Sequence, residues 1–285
     1  MPVNDELGIR MKTYYEQITK TKLMRRTPVA IRIDGKAFHT FTKGFQKPFD
    51  EVLIKSMQKT MKYLCENIQG CVFGYTQSDE ITLILVDYKN FNSDAWFDYE
   101  VQKMCSIAAS MATMAFNKFF ASEVTSYEIR MPTDKNGYLD KEYYDQYVVY
   151  HKAATKGAMF DARVFNIPKE EVTNLLYWRQ LDATRNSIQM VGQANFSHKE
   201  LHGKSCNMIQ DMLLTERDIN WNAFPTHQKR GSCCVKSHTT ITGATVLENG
   251  EVETASIERP HWYIDYEIPI FKDEGRQYID KLIFI

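Results

Sequence analysis

Two aspartates stand where β-type runs of this chain break off. Asp34 closes the run Val29-Ala30-Ile31-Arg32-Ile33 and is followed by Gly35, and Asp79 lies in the short stretch Thr76-Gln77-Ser78-Asp79-Glu80 between two further β-type runs. In a β-α-β-β sheet those two places can be neighbours. Magnesium takes a few carboxylate or carbonyl oxygens in near-octahedral geometry and keeps its other positions for water and phosphate, so two convergent aspartates make a nucleotide-metal site. Gly35 adds a backbone carbonyl with no side chain in the way. Two such ions polarise the attacked phosphorus, activate the attacking hydroxyl and neutralise the leaving phosphate. Each aspartate also has an ordinary explanation, because Asp-Gly after a strand and Ser-Asp-Glu between strands are common turn sequences. The flanking residues weigh against turns alone: Arg32, Lys36, Phe38 and His39 surround Asp34 with cations, an aromatic ring and an imidazole, as a triphosphate and a base require.

The same residues carry a family resemblance. Arg32-Ile33-Asp34-Gly35-Lys36-Ala37-Phe38-His39, Lys47-Pro48, Gln77-Ser78-Asp79-Glu80, Phe160-Asp161-Ala162-Arg163-Val164 and Trp178-Arg179-Gln180-Leu181-Asp182 occur in the order and form of the tRNA-histidine guanylyltransferase family. The chain resembles that family over roughly residues 5–236. The resemblance implies a fold like the palm of ordinary polymerases, with nucleotides added in the 3′-to-5′ direction onto the 5′ end of tRNA. It implies two Mg2+ ions held by Asp34, the Gly35 carbonyl and Asp79, with nucleotide contacts from Lys36, Ala37, Phe38, His39 and Ser78. Lys47, Lys103 and Arg163 match basic residues that handle triphosphate or the activated 5′ phosphate, and Glu80 matches a required acid, a catalytic role for which a solvent-facing hairpin glutamate is the alternative. ATP, GTP and other NTPs are the implied co-substrates, and a homotetramer the implied assembly. One segment departs from the family. Eukaryotic members that add guanosine to histidine tRNA follow Trp-Arg-Gln-x-Asp with His-Ile-Asn-Asn-Leu-Tyr-Asn, whereas residues 184–190 here read Thr-Arg-Asn-Ser-Ile-Gln-Met, in which only Asn186 matches. The chain therefore resembles the guanylyltransferase-like branch, whose members copy a template strand to repair 5′-truncated tRNAs.

The elements that must position these groups are readable from apolar periodicity. Residues 11–26 are charged and helix-compatible. A buried strand ends at Asp34-Gly35, and Leu53, Met57, Met61 and Leu64 recur at helical spacing behind Asp50 and Glu51, which suit a helix N-terminus. The runs from Cys71 and from Ile81 predict a tight hairpin. Phe97, Val101, Met104, Ala108, Ala112, Ala115 and Phe119 trace one face of a long helix. The order β-α-β-β-α fits a two-layer α+β domain with a ferredoxin-like sheet. Residues 168–191 and 197–214 predict helices, and Asn136-Gly137 and Asn249-Gly250 predict hairpin turns. The polar stretch at residues 131–137 gives a soft boundary between a catalytic domain, residues 1–130, and a mixed C-terminal region, residues 131–285, contributing phosphate and tRNA contacts.

Composition bounds the partners. The chain has 285 residues, 44% of them hydrophobic, enough for a substantial core. With 35 basic and 36 acidic residues, a nucleic-acid partner must be met by a local basic patch. Candidates are residues 151–157, with His151, Lys152 and Lys156, and the group His198, Lys199 and Lys204, near Tyr147, Tyr150 and Phe196 as possible stacking surfaces. Solvated charged faces explain each of these equally well. The six cysteines show no C-x-x-C pair, and Cys233-Cys234 beside His227 and His238 lacks zinc-ligand spacing, so reduced core thiols are expected. No apolar stretch reaches the roughly 18 residues of a membrane span, and the N-terminus is polar, so no membrane contact and a cytoplasmic location are expected. A nucleotide cyclase and a non-catalytic tRNA-binding protein are the rival readings; the long motif series argues against the first, and intact Asp34, Asp79, Lys36 and His39 against the second.

Overall fold

The computed structural model describes residues 6–133, 137–246 and 252–285, with backbone alone for 241–246 and 252–255. Six strands form one antiparallel sheet: β1 Val29–Gly35, β2 Cys71–Gln77, β3 Glu80–Leu85, β4 Phe160–Asn166, β5 Ser232–Val246 and β6 Val252–Asp265, in the order β4-β1-β3-β2-β5-β6. The helices that position the site are α1 Glu51–Asn67, α2 Val101–Ile129, α3 Lys141–Lys156, α4 Lys169–Asn195, α5 Cys206–Arg217 and α6 Gln277–Ile283.

Both faces of the sheet are covered, which explains why its strands read as nearly continuous apolar runs. Val29, Ile31 and Ile33 point into a core shared with Met57, Met61 and Leu64 of α1 and Met104, Ala108, Ala112 and Phe116 of α2. Ala30 and Ile84 point the other way, to Val172 and Leu176 of α4 and Ile279 and Ile283 of α6. Cys233 and Cys234 divide between these two cores, as adjacent residues of a strand must. A third, smaller core joins the end of α4 to α5 through Ile188, Val191, Ile209 and Leu213.

The expected order β-α-β-β-α is present, and one antiparallel sheet makes the chain α+β. Asp50 caps α1, its carboxylate accepting from the Leu53 amide at 2.9 Å. The strands β4, β5 and β6 come from beyond residue 131 yet extend both edges of the same sheet.

Several expectations need correction. The helix expected over residues 11–26 is confined to Glu6–Met11 and a π-turn at Lys12–Glu16. Its apolar residues, among them Ile9, Tyr14 and Ile18, remain exposed, so no packing sustains it further. Helix α2 starts at Val101, because Phe97, Asp98 and Tyr99 adopt positive φ and cannot continue a right-handed helix. The helix expected over 197–214 is split into His198–Leu201 and α5, with Gly203 at φ 74 in the break. Asn136, Asn249 and Gly250 lie outside the described residues.

Candidate active site

Strand β1 runs between β4 and β3, and the register sets two rows of side chains at its end. Asp34 stands opposite Glu80 on one side and Asp161 on the other, and one pleat back Arg32 stands opposite Thr82 and Arg163. Directly paired residues share a face of the sheet, so three carboxylates form one row and two guanidiniums lie in the next. Asp79 joins this end through the β2–β3 turn, where Ser78 takes φ 51 and its hydroxyl donates to the Asp79 carboxylate at 3.1 Å. The Gly35 amide donates to the Asp79 carbonyl at 3.1 Å, and the Lys36 amide to the Met159 carbonyl at 2.8 Å. The two aspartates named by their turn positions are thus tied to one sheet end.

Their charge is poorly compensated. Burial pushes the Asp34 carboxyl above its ordinary range, Glu80 and Asp161 push it further, and Arg32 and Arg163 oppose them. Burial also raises Asp79, with Asp34 and Glu80 adding to the shift against its own amide and the Ser78 hydroxyl. Anionic carboxylates that repel one another at a partly buried place are what a divalent cation would relieve. Among the described residues no group of three or more His, Cys, Asp or Glu forms a metal cage. The donor set fits magnesium, which typically takes one or two protein carboxylates and completes its shell with phosphate and water.

Beside this pair opens a cavity of about 560 Å³. Gly35, Ala37, Phe38, His39, Ser78 and Asp79 form one wall. Phe45, Lys47, Phe49, Leu53 and Ile54 form the second, on the loop and first turns leading into α1. Asn186, Ser187 and Met190 of α4, with His227, Gln228 and Gly231, close the third. Gly35 is required by packing: a Cβ there would lie 2.2 Å from the Phe38 ring. That ring is 5% exposed and packs against Phe41, Phe116 and Phe160, so it anchors the site to the core and offers the cavity only its edge.

Of the residues singled out in the sequence, Gly35, Ala37, Phe38, His39, Lys47, Ser78 and Asp79 line the cavity. Asp34 stands beside it at the strand end. Lys36 is exposed next to this wall, its backbone held by Met159, the residue before β4. Arg163 is exposed on edge strand β4. Lys103 is not gathered with them: it lies in the first turn of α2, with its ammonium 4.8 Å from the Phe97 ring centre. Glu80 does not face solvent freely. It pairs with Arg32 at 3.3 Å and with the buried Arg179 at 2.6 Å. Among the suggested stacking residues, Tyr150 and Phe196 are buried and unavailable to bases, because both are core packing residues.

Gln228 and Gly231 reach the cavity from far along the chain with no local signal, Ser187 stands out in the sequence only as part of the departing segment, and His227 only beside Cys233-Cys234. Asp50 was legible only as a cap; its carboxylate also accepts from the Tyr150 hydroxyl at 2.6 Å and the Gln46 amide at 2.9 Å, fixing the loop that carries Lys47.

The family model described as tRNAHis guanylyltransferase (Thg1) matches residues 8–168, more than half of the chain. The chain belongs to this family. Members of the tRNAHis guanylyltransferase family are nucleotidyltransferases, and this chain is one by membership. A bacterial tRNA(His) guanylyltransferase-like protein solved in complex with ATP superposes with a TM-score of 0.75 and is 37% identical, covering 97% of this chain and 98% of that one. One solved in complex with GTP gives a TM-score of 0.72 at 34% identity over 99% and 100% of the two chains. The tRNA(His) guanylyltransferase of Kluyveromyces lactis is 27% identical over 225 residues, 74% of this chain and 83% of that protein. Among the described residues no helix is long and apolar enough to cross a membrane.

Proposed function

We propose that this chain adds nucleotides in the 3′-to-5′ direction to the 5′ end of tRNA, copying the opposite strand of the acceptor stem and so repairing truncated ends. The observation that carries this reading is the wall formed by Asn186, Ser187 and Met190. The segment that departs from the eukaryotic guanosine-adding pattern is the one that lines the cavity. Higher identity to the bacterial guanylyltransferase-like proteins than to the Kluyveromyces lactis enzyme supports the same branch. The side chains offered to a base also support templated choice. Asn186 and Gln228 carry amides that both donate and accept, each giving one amide hydrogen to a carboxylate, Asp182 at 3.4 Å and Glu51 at 3.0 Å. The one carboxylate lining this cavity besides Asp79 is Asp50, already engaged by Tyr150, Gln46 and Leu53.

In this reading the strand order β4-β1-β3-β2 is a palm-like core, and Asp34, the Gly35 carbonyl and Asp79 are the groups that would hold two Mg2+ ions. When bound, the metal supplies charge for the leaving phosphate and lowers the pKa of the attacking hydroxyl. The tRNA 5′-phosphate first attacks the α-phosphorus of ATP and displaces pyrophosphate. The 3′-hydroxyl of the incoming NTP then attacks the adenylylated phosphate and displaces AMP, leaving a triphosphate end from which pyrophosphate is removed when extension stops. Lys47 stands at the cavity to meet the triphosphate, Lys36, Ala37, His39 and Ser78 contact the nucleotide, and Arg163 and Lys103 serve the 5′ end during activation. Glu80 braces the turn that carries Asp79. The tRNA body lies across residues 151–157 and the Lys199 and Lys204 patch, in a homotetramer of cytoplasmic location.

Guanosine addition to histidine tRNA is the second reading, favoured by relatives such as the tRNA(His) guanylyltransferase of Kluyveromyces lactis. The two separate when a 5′-monophosphorylated tRNA lacking its first nucleotide is incubated with magnesium, ATP and each NTP, and its 5′ end is mapped. Addition of only the complementary nucleotide is expected. Guanosine added to full-length histidine tRNA alone would replace repair with maturation.

A further inference from the structure

Behind the carboxylate row lies a charged group that none of the roles above uses. Arg179 is 5% exposed, within the covered face of α4; its Nη2 forms an ion pair with Glu80 at 2.6 Å and donates to Asp182 at 2.9 Å. Its guanidinium lies 4.6 Å from the Trp178 ring centre, and Arg32, the other partner of Glu80, lies 5.5 Å from the same ring. Asp182 continues the chain to Asn186 at 3.4 Å, and Asn186 lines the cavity. Among the described residues the Arg179 Nε is the one buried side-chain nitrogen or oxygen without a hydrogen-bond partner. An arginine kept inside at that cost is held there by its Nη2, which meets both carboxylates, one at the β3 end and one on α4.

The consequence is electrostatic. Glu80 follows Asp79 in the chain and faces Asp34 across the strands, so its charge adds to theirs unless a cation holds it. We propose that Arg179 is a positioning residue that draws Glu80 onto α4, keeping this carboxylate out of the Asp34 and Asp79 pair and bracing the Asp79 turn against the Asn186 wall. This rests on the reading of Asp34 and Asp79 as metal-holding residues. Glu80 then acts through its guanidinium partners and makes no bond to the metal.

Direct Mn2+ binding to the full chain, followed by electron paramagnetic resonance without nucleotide, tests this apart from activity. Wild type against Asp79→Ala first examines the underlying reading: Mn2+ bound by wild type and lost in Asp79→Ala supports it, and equal binding overturns that reading and the inference together. Arg179→Met leaves Glu80 with Arg32 alone and is expected to bind Mn2+ at least about threefold more tightly, the effect of one less compensated charge at a partly exposed site. Arg179→Met with Glu80→Gln is expected to return within about twofold of wild type, and Arg179→Lys, which keeps the charge, to stay there. A folded Arg179→Met whose affinity is unchanged or weaker would overturn the proposal, since an arginine needed only for packing could loosen the site but not tighten it. Should Arg179→Met not fold, Glu80→Gln decides. Affinity within about twofold is expected for a charge largely taken up by Arg32 and Arg179, and a loss of about tenfold would show Glu80 acting on the ion directly and overturn the assignment.

Discussion

The Gly35 amide donates to the Asp79 carbonyl at 3.1 Å. The residue that follows the first aspartate is thereby fixed to the second aspartate's own backbone, so the two carboxylates approach as a consequence of strand pairing and need no long side-chain reach. Ser78, at φ 51, gives the β2–β3 turn the tightness this requires. The geometry sits on rigid elements, with Phe38 wedging the Gly35 side into the aromatic core of α2.

Gly35→Ala tests that wedge. A methyl group placed 2.2 Å from the Phe38 ring forces Phe38 from its contacts. Overpacking of this kind costs about 1–3 kcal/mol. Chemical denaturation should show that loss, and nucleotide addition should fall further than stability alone explains, because the shifted strand end carries Asp34.

Tyr150→Phe removes the hydroxyl that donates to the buried Asp50 carboxylate. Hydrogen bonds to charged groups contribute about 1.5–3 kcal/mol, so a loss of unfolding free energy of that size is expected. The loop it holds carries Lys47, so the KM for the incoming NTP should rise more than kcat falls. Equal losses in both would place the effect elsewhere.

Lys47→Ala should raise the KM for NTP by about 10–100-fold, the loss of one charge-assisted contact to phosphate, with a smaller effect on kcat. Steady-state kinetics at saturating tRNA reads this directly.

Asp79 predicts a pH-dependent trade between stability and function. Its carboxyl is raised above the ordinary 3.8 by burial first and by Asp34 and Glu80 in addition. A raised acid means the native state binds its proton at higher pH than the unfolded chain does, so this group lowers stability as pH rises through its native pKa. Asp79→Asn should therefore raise the melting temperature of the metal-free protein at pH 7, and the gain should vanish below 3.8, where both states are protonated. A gain independent of pH would mean the carboxylate is not under this strain.

Much of the stretch from Val29 to Leu85 was legible because its signals are local. Val29 to Ile33 alternate between two apolar cores and announce a covered strand, and Asp50 ahead of Leu53 announces a capped helix. Asp34 and Asp79 stand out because each ends a run. The remainder depends on contacts distant in sequence. Nothing near His227 or Gln228 marks them as cavity residues; they arrive there through the packing of Thr226–Arg230 at the end of β2, where Gly231 pairs closely with Thr76. Tyr150 and Phe196 look like stacking residues beside basic clusters, yet Tyr150 turns inward from α3 and Phe196, in extended backbone just after α4, packs into the small third core. Phe97 fits the apolar stripe of α2 in sequence and leaves the helix only because of its backbone conformation.

The most direct test of the central claim is magnesium-dependent nucleotide addition by Asp34→Ala and Asp79→Ala, with single-nucleotide resolution of the tRNA 5′ end and melting curves to establish folding. Loss of a ligand that stabilises charge in the transition state should slow addition by about a thousandfold or more in each variant. Folded variants that add nucleotide within about tenfold of wild type would contradict the assignment of the metal to this pair.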